Sequence, residues 1–165
     1  LYLCTMKHIS QESIDKAIGV IDELNDNDLE TVFETYAGEQ AILLEYAMTA
    51  PTEYQNEQLE GLLVYYFCLI CECFKQEGLR PKAITEDQIE AHQTPYFDML
   101  DAYFENDDEE VIDSYVDQPQ LSKFMAIEVS TEDDDGTSLS DETASQLFIV
   151  CLSMVALLNK AIPEE

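Results

Sequence analysis

Cations are scarce in this chain. Seven of its 165 residues are lysine or arginine, against 36 aspartates and glutamates, for a formal charge of −29. Such a surface repels phosphate backbones, so the sequence speaks against direct nucleic-acid binding. It disfavours anionic membrane surfaces for the same reason. Glycine is also sparse, with five residues and neither a glycine-rich phosphate loop nor a Gly-x-Ser-x-Gly. No nucleotide cradle or nucleophile elbow is therefore legible. Neither of the two histidines completes the Glu-x-x-His of a di-metal carboxylate bundle: Ile89 stands three residues before His92, and Thr5 before His8. Tryptophan is missing, and no window alternates Val, Ile and Thr over the length of a strand. Leu1 to Thr5 is too short for the apolar core of a secretory signal, and Met6-Lys7 reads as a natural start. The five cysteines, Cys4, Cys68, Cys71, Cys73 and Cys151, are odd in number and sit mostly in apolar surroundings. Reduced thiols in a cytoplasmic protein are the expectation.

What is present is a hydrophobic fraction of 46%, enough for a packed core in spite of the charge. Its periodicity is helical almost throughout. A first helix is expected over 11–24, on Ile14, Ala17, Ile18, Ile21 and Leu24. A second follows to about Ala50, capped by Asn27 with Glu30 as its capping-box partner. A third starts at Thr52 with Gln55 and ends before Glu77-Gly78. Its stretch from Leu62 to Cys71 is apolar or aromatic without a break. A helix apolar all round is buried, and this stretch is shorter than the roughly 20 residues a bilayer needs.

The chain then repeats itself. Asn27 to Tyr36 aligns with Asn106 to Tyr115, and the 79-residue shift holds without a gap from Val20/Met99 to Glu53/Glu132. Thr94-Pro95 reads as the cap and first position of the second copy's first helix. Asn106 with Glu109 repeats the capping box, and Pro119 breaks or kinks the copy's second helix. A last helix spans about 140–161, with Val150-Cys151-Leu152 opposite Phe67-Cys68-Leu69. The expected fold is all-α: a bundle of about six main helices forming a duplicated three-helix unit with a pseudo-twofold arrangement. Repeat A would cover 9–78, a linker 79–93 (with a short helix at 86–92) and repeat B 94–162, fused in one domain because neither copy could bury its third helix alone. Leu62, Leu63, Phe67, Ile70, Phe148, Val150, Leu152 and Val155 form the expected core.

Chemistry-bearing patterns are few. Around Gly136, Asp133, Asp135 and Glu142 sit at calcium-loop spacing, but Thr131 stands where the first acidic ligand belongs and Ser138 where an apolar residue belongs. An acidic solvated loop is the better reading. Cys68 and Cys71 share a helix face while Cys73 points elsewhere, so inert buried thiols are expected rather than a zinc site. No metal, cofactor or catalytic residue is assigned, and the balance is against an enzyme.

Two functions remain. The first is a non-catalytic acidic helical protein, immunity- or chaperone-like, that binds a basic protein partner. Its acidic face would be Asp28, Glu30 and Glu34 on the second helix of one copy and Asp107, Glu109 and Asp113 on that of the other. The second is a small-ligand binder or enzyme with a pocket between the halves, built from carboxylates and tyrosines. A contiguous acidic patch favours the first, and a tyrosine-lined cavity the second. The chain would act as a monomer, or as a homodimer that buries a remaining apolar face.

Overall fold

The structure is a computed structural model that describes residues 8–132 and 136–163. Cys4, Met6, Lys7 and the calcium-loop candidates Asp133 and Asp135 lie outside the described residues. Among those described there is no strand, and 76% of them are in helix. The described residues form eight helices and one isolated four-residue turn of helix: α1 (Gln11–Asp22), α2 (Asp26–Glu39), α3 (Ala41–Ala47), the turn α4 (Ala50–Glu53), α5 (Gln58–Gln76), α6 (Glu86–Asn106), α7 (Glu109–Val116), α8 (Pro119–Ser130) and α9 (Asp141–Lys160).

The two most apolar helices, α5 and α9, pack against each other at the centre. Helices α1 and α2 and the α4 turn cover α5, while α3, α6, α7 and α8 cover α9. Of the eight expected core residues, Leu63, Phe67, Ile70, Phe148, Val150, Leu152 and Val155 are buried, and Leu62 is half-buried. Burying each such side chain fully is worth roughly 1.5–3 kcal/mol, which is why the greasiest stretches of sequence take the middle. By length and composition α9 could cross a membrane. In this fold every residue from Val150 to Asn159 is buried under its neighbours.

Several helix ends differ from the sequence expectation. The cap of α2 is Asn25, extended at φ −77° and ψ 173°, whose side chain accepts from the Asp28 N–H. Asn27 is already inside the helix, so its side chain is not the cap. Asn106 ends α6, and Asp108 caps α7 by accepting from the Glu110 N–H. The two expected capping boxes are thus not formed.

Helix α6 runs straight through Pro95 and does not begin there. Its start is fixed by a full capping box, Thr85 with Gln88. Proline costs the helix one backbone bond, and burial of Tyr96, Met99 and Leu100 beyond it keeps the helix continuous. Helix α5 begins at Gln58 and not near Thr52, because Gln55 takes φ 53° and separates it from the α4 turn.

The second helix of the first half also breaks, at Gln40 (φ −130°, ψ 49°). The second half breaks comparably: Asp117 sits at φ 57°, Gln118 follows at φ −140° and ψ 72°, and α8 starts on Pro119. Both glutamines are buried clamps. Gln40 Oε1 accepts from the Ile84 N–H at 2.9 Å, and its Nε2 donates to the Lys82 carbonyl at 3.0 Å. Gln118 Oε1 accepts from the Ile9 N–H at 2.7 Å, and its Nε2 donates to Asn159 Oδ1 at 2.8 Å. Ile9 and Ile84, both buried, immediately precede Ser10 and Thr85, the caps of α1 and α6. A helix break in each half therefore holds the entry to the first helix of the other half.

Candidate functional site

The six carboxylates expected to form an acidic face, Asp28, Glu30, Glu34, Asp107, Glu109 and Asp113, are all exposed. The first three lie on α2, Asp107 closes α6, and the last two lie on α7. None of the six forms an ion pair with a described residue. Asp28 and Glu109 lie in the first turns of α2 and α7, where the helix dipole favours negative charge.

Burial singles out a different carboxylate. Glu72 lies on α5 between Cys71 and Cys73 and is only 3% exposed. Placing a carboxylate in a core is costly unless its oxygens are hydrogen-bonded. Tyr36 of α2 donates its hydroxyl to Glu72 Oε1 at 2.7 Å, and Gln76 Nε2 donates to Oε2 at 2.7 Å. Burial, and then the bond and charge of Glu72, push the Tyr36 phenol well above its usual range, so it remains a donor. No cation within ion-pair distance neutralises Glu72 among the described residues.

Glu72 lines a cavity of about 600 Å³ between α2, the end of α5 and the segment that follows it. Val32, Phe74, Leu79 and Leu158 supply apolar wall, and Glu39, Lys75 and Arg80 supply charge. The segment is set in place at both ends. At its start Gly78 adopts φ +78°, its N–H bonding the Lys75 carbonyl and the Leu79 N–H bonding the Phe74 carbonyl, each at 2.9 Å. This is the two-bond pattern of a Schellman helix end, which a glycine accommodates without strain. At its far end Gln40 clamps Lys82 and Ile84, and the Lys82 N–H bonds the Ala161 carbonyl at 2.9 Å. The cavity wall is thereby fixed without a ligand. It belongs mostly to the first half, with Leu158 as the contribution of α9.

A second polar inclusion lies on α9. Ser153 is 2% exposed and His92, on α6, is 3% exposed. Ser153 Oγ and His92 Nε2 are 2.8 Å apart, Tyr46 Oη lies 3.1 Å from the same Oγ, and Tyr115 Oη lies 2.9 Å from His92 Nδ1. Lys160 sits 3.8 Å above the centre of the Tyr115 ring, a cation–π contact. Burial, and then the charge of Lys160, lower His92 to a pKa of about 4.

A serine bonded to a histidine invites a nucleophilic reading, but the surroundings do not support it. Ser153 is in the middle of α9, where helix bonds occupy the backbone N–H groups that an oxyanion would need. The space beside it is only about 50 Å³. The chain of Tyr46, Ser153, His92 and Tyr115 is a satisfied core network.

The thiols are buried as expected. Burial raises Cys68 to about 11 and Cys73 to about 12, and pushes Cys71 and Cys151 higher still. Protonated thiols are poor nucleophiles and poor ligands. Among the described residues no three His, Cys, Asp or Glu side chains converge as a metal site. Sequence reasoning missed Glu72, although a signal existed: it is the one charged residue between Glu60 and Lys75, inside an apolar run. The two glutamine clamps had no such signal, since a buried glutamine looks like an exposed one in sequence. No family model, no curated protein and no solved structure matches this chain.

Proposed function

We propose that this chain is a non-catalytic binding protein whose acidic helical surface engages a basic protein, as small immunity proteins and secretion chaperones do. The observation that carries this reading is the charge of −29 on a well-packed helical body. Asp28, Glu30 and Glu34, with Asp107, Glu109 and Asp113, are exposed and unpaired by cations among the described residues, so they are free to meet a partner's lysines and arginines. Attraction of this kind speeds encounter and weakens as salt screens it beyond about 10 Å at 0.1 M. Buried, unpaired thiols at Cys68, Cys71, Cys73 and Cys151 support a reducing, cytoplasmic setting. Affinity capture from native lysate at low and at high salt tests the reading. A basic protein should be held at low salt, released at high salt, and lost on charge reversal at Glu34 and Asp113. Failure to retain any basic protein at low salt, or retention unchanged by the reversals, would refute it.

The proposal extends to the architecture: two copies of a three-helix unit about a pseudo-twofold axis, fused in one domain. Three pairings support it. Gln40 and Gln118 clamp the segments before α6 and α1, respectively. Ser10 and Thr85 cap those helices after a buried isoleucine. Tyr36 and Tyr115, paired at the 79-residue shift, each reach the third helix of their own half, though at the non-equivalent positions Glu72 and Lys160. The pairing of caps sets the first helices at a shift of 75 residues, not the ungapped 79 read from Val20/Met99 onward, and begins the second copy at α6 instead of at residue 94. Ile14, Ala17 and Ile21 then stand opposite Ile89, His92 and Tyr96, all six buried. Gln40→Ala and Gln118→Ala should lower the free energy of urea unfolding by matching amounts, about 1–3 kcal/mol each, because each strands a buried donor. A loss at one site alone would count against the duplication.

A further inference from the structure

The cavity lined by Glu72 has a charge arrangement unlike the rest of the molecule. Of the seven lysines and arginines in the chain, Lys75 and Arg80 line this one space. Both are exposed, and neither forms an ion pair with a described residue, although carboxylates outnumber cations about fivefold. An anion meets repulsion over most of this surface, and here it meets two free cations. Glu72 lines the same space and has each oxygen engaged once, by Tyr36 and by Gln76. A carboxylate has about four acceptor positions, so further donors can be taken on its cavity side. Val32, Phe74, Leu79 and Leu158 line the same space.

We propose that this cavity is a binding site for a small zwitterion of the short-peptide class. Its ammonium is taken by Glu72, its carboxylate by Lys75 and Arg80, and its apolar side chains by Val32, Phe74, Leu79 and Leu158. A single basic side chain fits less well, because the Lys75 and Arg80 charges line its path. A plain anion fits less well, because Glu39 and Glu72 face it. The volume of about 600 Å³ lies within the roughly 300–1,000 Å³ common for small-ligand pockets, so a dipeptide is accommodated. The Gly78 turn and the Gln40 clamp hold the Arg80 segment before any ligand arrives, which reduces the ordering cost of binding. The site uses none of the six acidic-face carboxylates, and it stands or falls independently of a basic protein partner.

The test uses the full chain, labelled with nitrogen-15, and a panel of apolar dipeptides headed by leucyl-leucine. Each dipeptide is compared with its N-acetyl and its C-terminal amide derivatives. Saturable shifts are expected at the amides of Tyr36, Glu72, Lys75 and Arg80, and each derivative should bind about tenfold more weakly or worse. Glu72→Gln and Arg80→Gln should each weaken the free dipeptide by a similar factor while leaving the melting temperature within a few degrees. Because Arg80 is exposed, its substitution tests the site even if Glu72→Gln disturbs folding. No saturable binding by any free dipeptide would overturn the proposal, as would equal binding of the blocked derivatives or affinity unchanged in both variants.

Discussion

Each central helix carries a polar group deep in its apolar stretch, Glu72 on α5 and Ser153 on α9, and the two are treated in opposite ways. Ser153 is sealed: Tyr46 and His92 occupy its hydroxyl, Tyr115 occupies the far side of His92, and the adjoining space is about 50 Å³. Glu72 is as buried as Ser153 but borders open space: Tyr36 and Gln76 each engage one oxygen, and the cavity beside it is about twelve times larger, at about 600 Å³. The charged group, more costly to bury, is the one left beside open space. A closed network of neutral groups is accounted for by packing alone. An ionisable group in the wall of a cavity that Lys75 and Arg80 also line is not, and the functional reading of the pocket rests on that contrast.

The comparison presumes that the two helices are otherwise equal halves of one core, and truncation tests this with the largest effect. Ile70 and Leu152 are fully buried, one on each helix. Ile70→Ala and Leu152→Ala should each lower unfolding free energy by about 2–5 kcal/mol, from lost transfer energy and an unfilled cavity. Urea denaturation measures both. A loss below about 0.5 kcal/mol at either site, the size expected of an exposed position, would remove that helix from the core.

A smaller effect separates the sealed group from the open one. Ser153→Ala leaves His92 Nε2 and the Tyr46 hydroxyl without their partner in a buried site, and should cost about 1–3 kcal/mol. Glu72→Gln keeps a carbonyl to accept from Tyr36 and removes a buried charge, so it should change stability by less than about 0.5 kcal/mol or raise it. If Glu72→Gln proved as damaging as Ser153→Ala, Glu72 would be a structural group like its counterpart, and the contrast would vanish.

The contrast was half legible in the sequence. The apolar runs from Leu62 to Cys71 and from Leu147 to Leu158 identified the central helices because burial all round leaves no polar face to disguise them. Helix ends were less legible. Asn25 and Asn27 are equally good caps by composition, and the choice between them depends on where Leu24 and Leu29 pack, which is tertiary information. Pro95 misled for a related reason: it is an ordinary helix start in isolation, but the Thr85 cap ten residues earlier had already begun the helix. The cavity itself could not be read, since Tyr36, Glu72 and Arg80 converge only after α2 folds onto α5 and the chain turns at Gly78. The acidic residues chosen from the repeat are exposed as expected, but their repetition in sequence did not identify the buried carboxylate beside the cavity.

The sealed network should also respond to pH in a way that the open site does not. His92 is held at about 4, below its ordinary 6.5. The unfolded chain therefore takes up a proton as pH falls through 6.5, while the folded chain resists until about 4. The contribution to stability is whole above 6.5, declines as pH falls, and is lost once pH passes the folded value. Between pH 7 and pH 5 this amounts to about 2 kcal/mol. Lys160, which faces the network across the Tyr115 ring, reinforces it by disfavouring a second positive charge. Protonation of surface carboxylates acts in the opposite sense, because lowering a net charge of −29 relieves self-repulsion. The wild-type slope is thus a sum, and His92→Gln isolates one part of it. Urea unfolding at the two pH values should show the variant, whatever its absolute stability, losing about 2 kcal/mol less than the parent on acidification. Identical slopes would mean that His92 is reached by solvent and protons, and that the network on α9 is open after all.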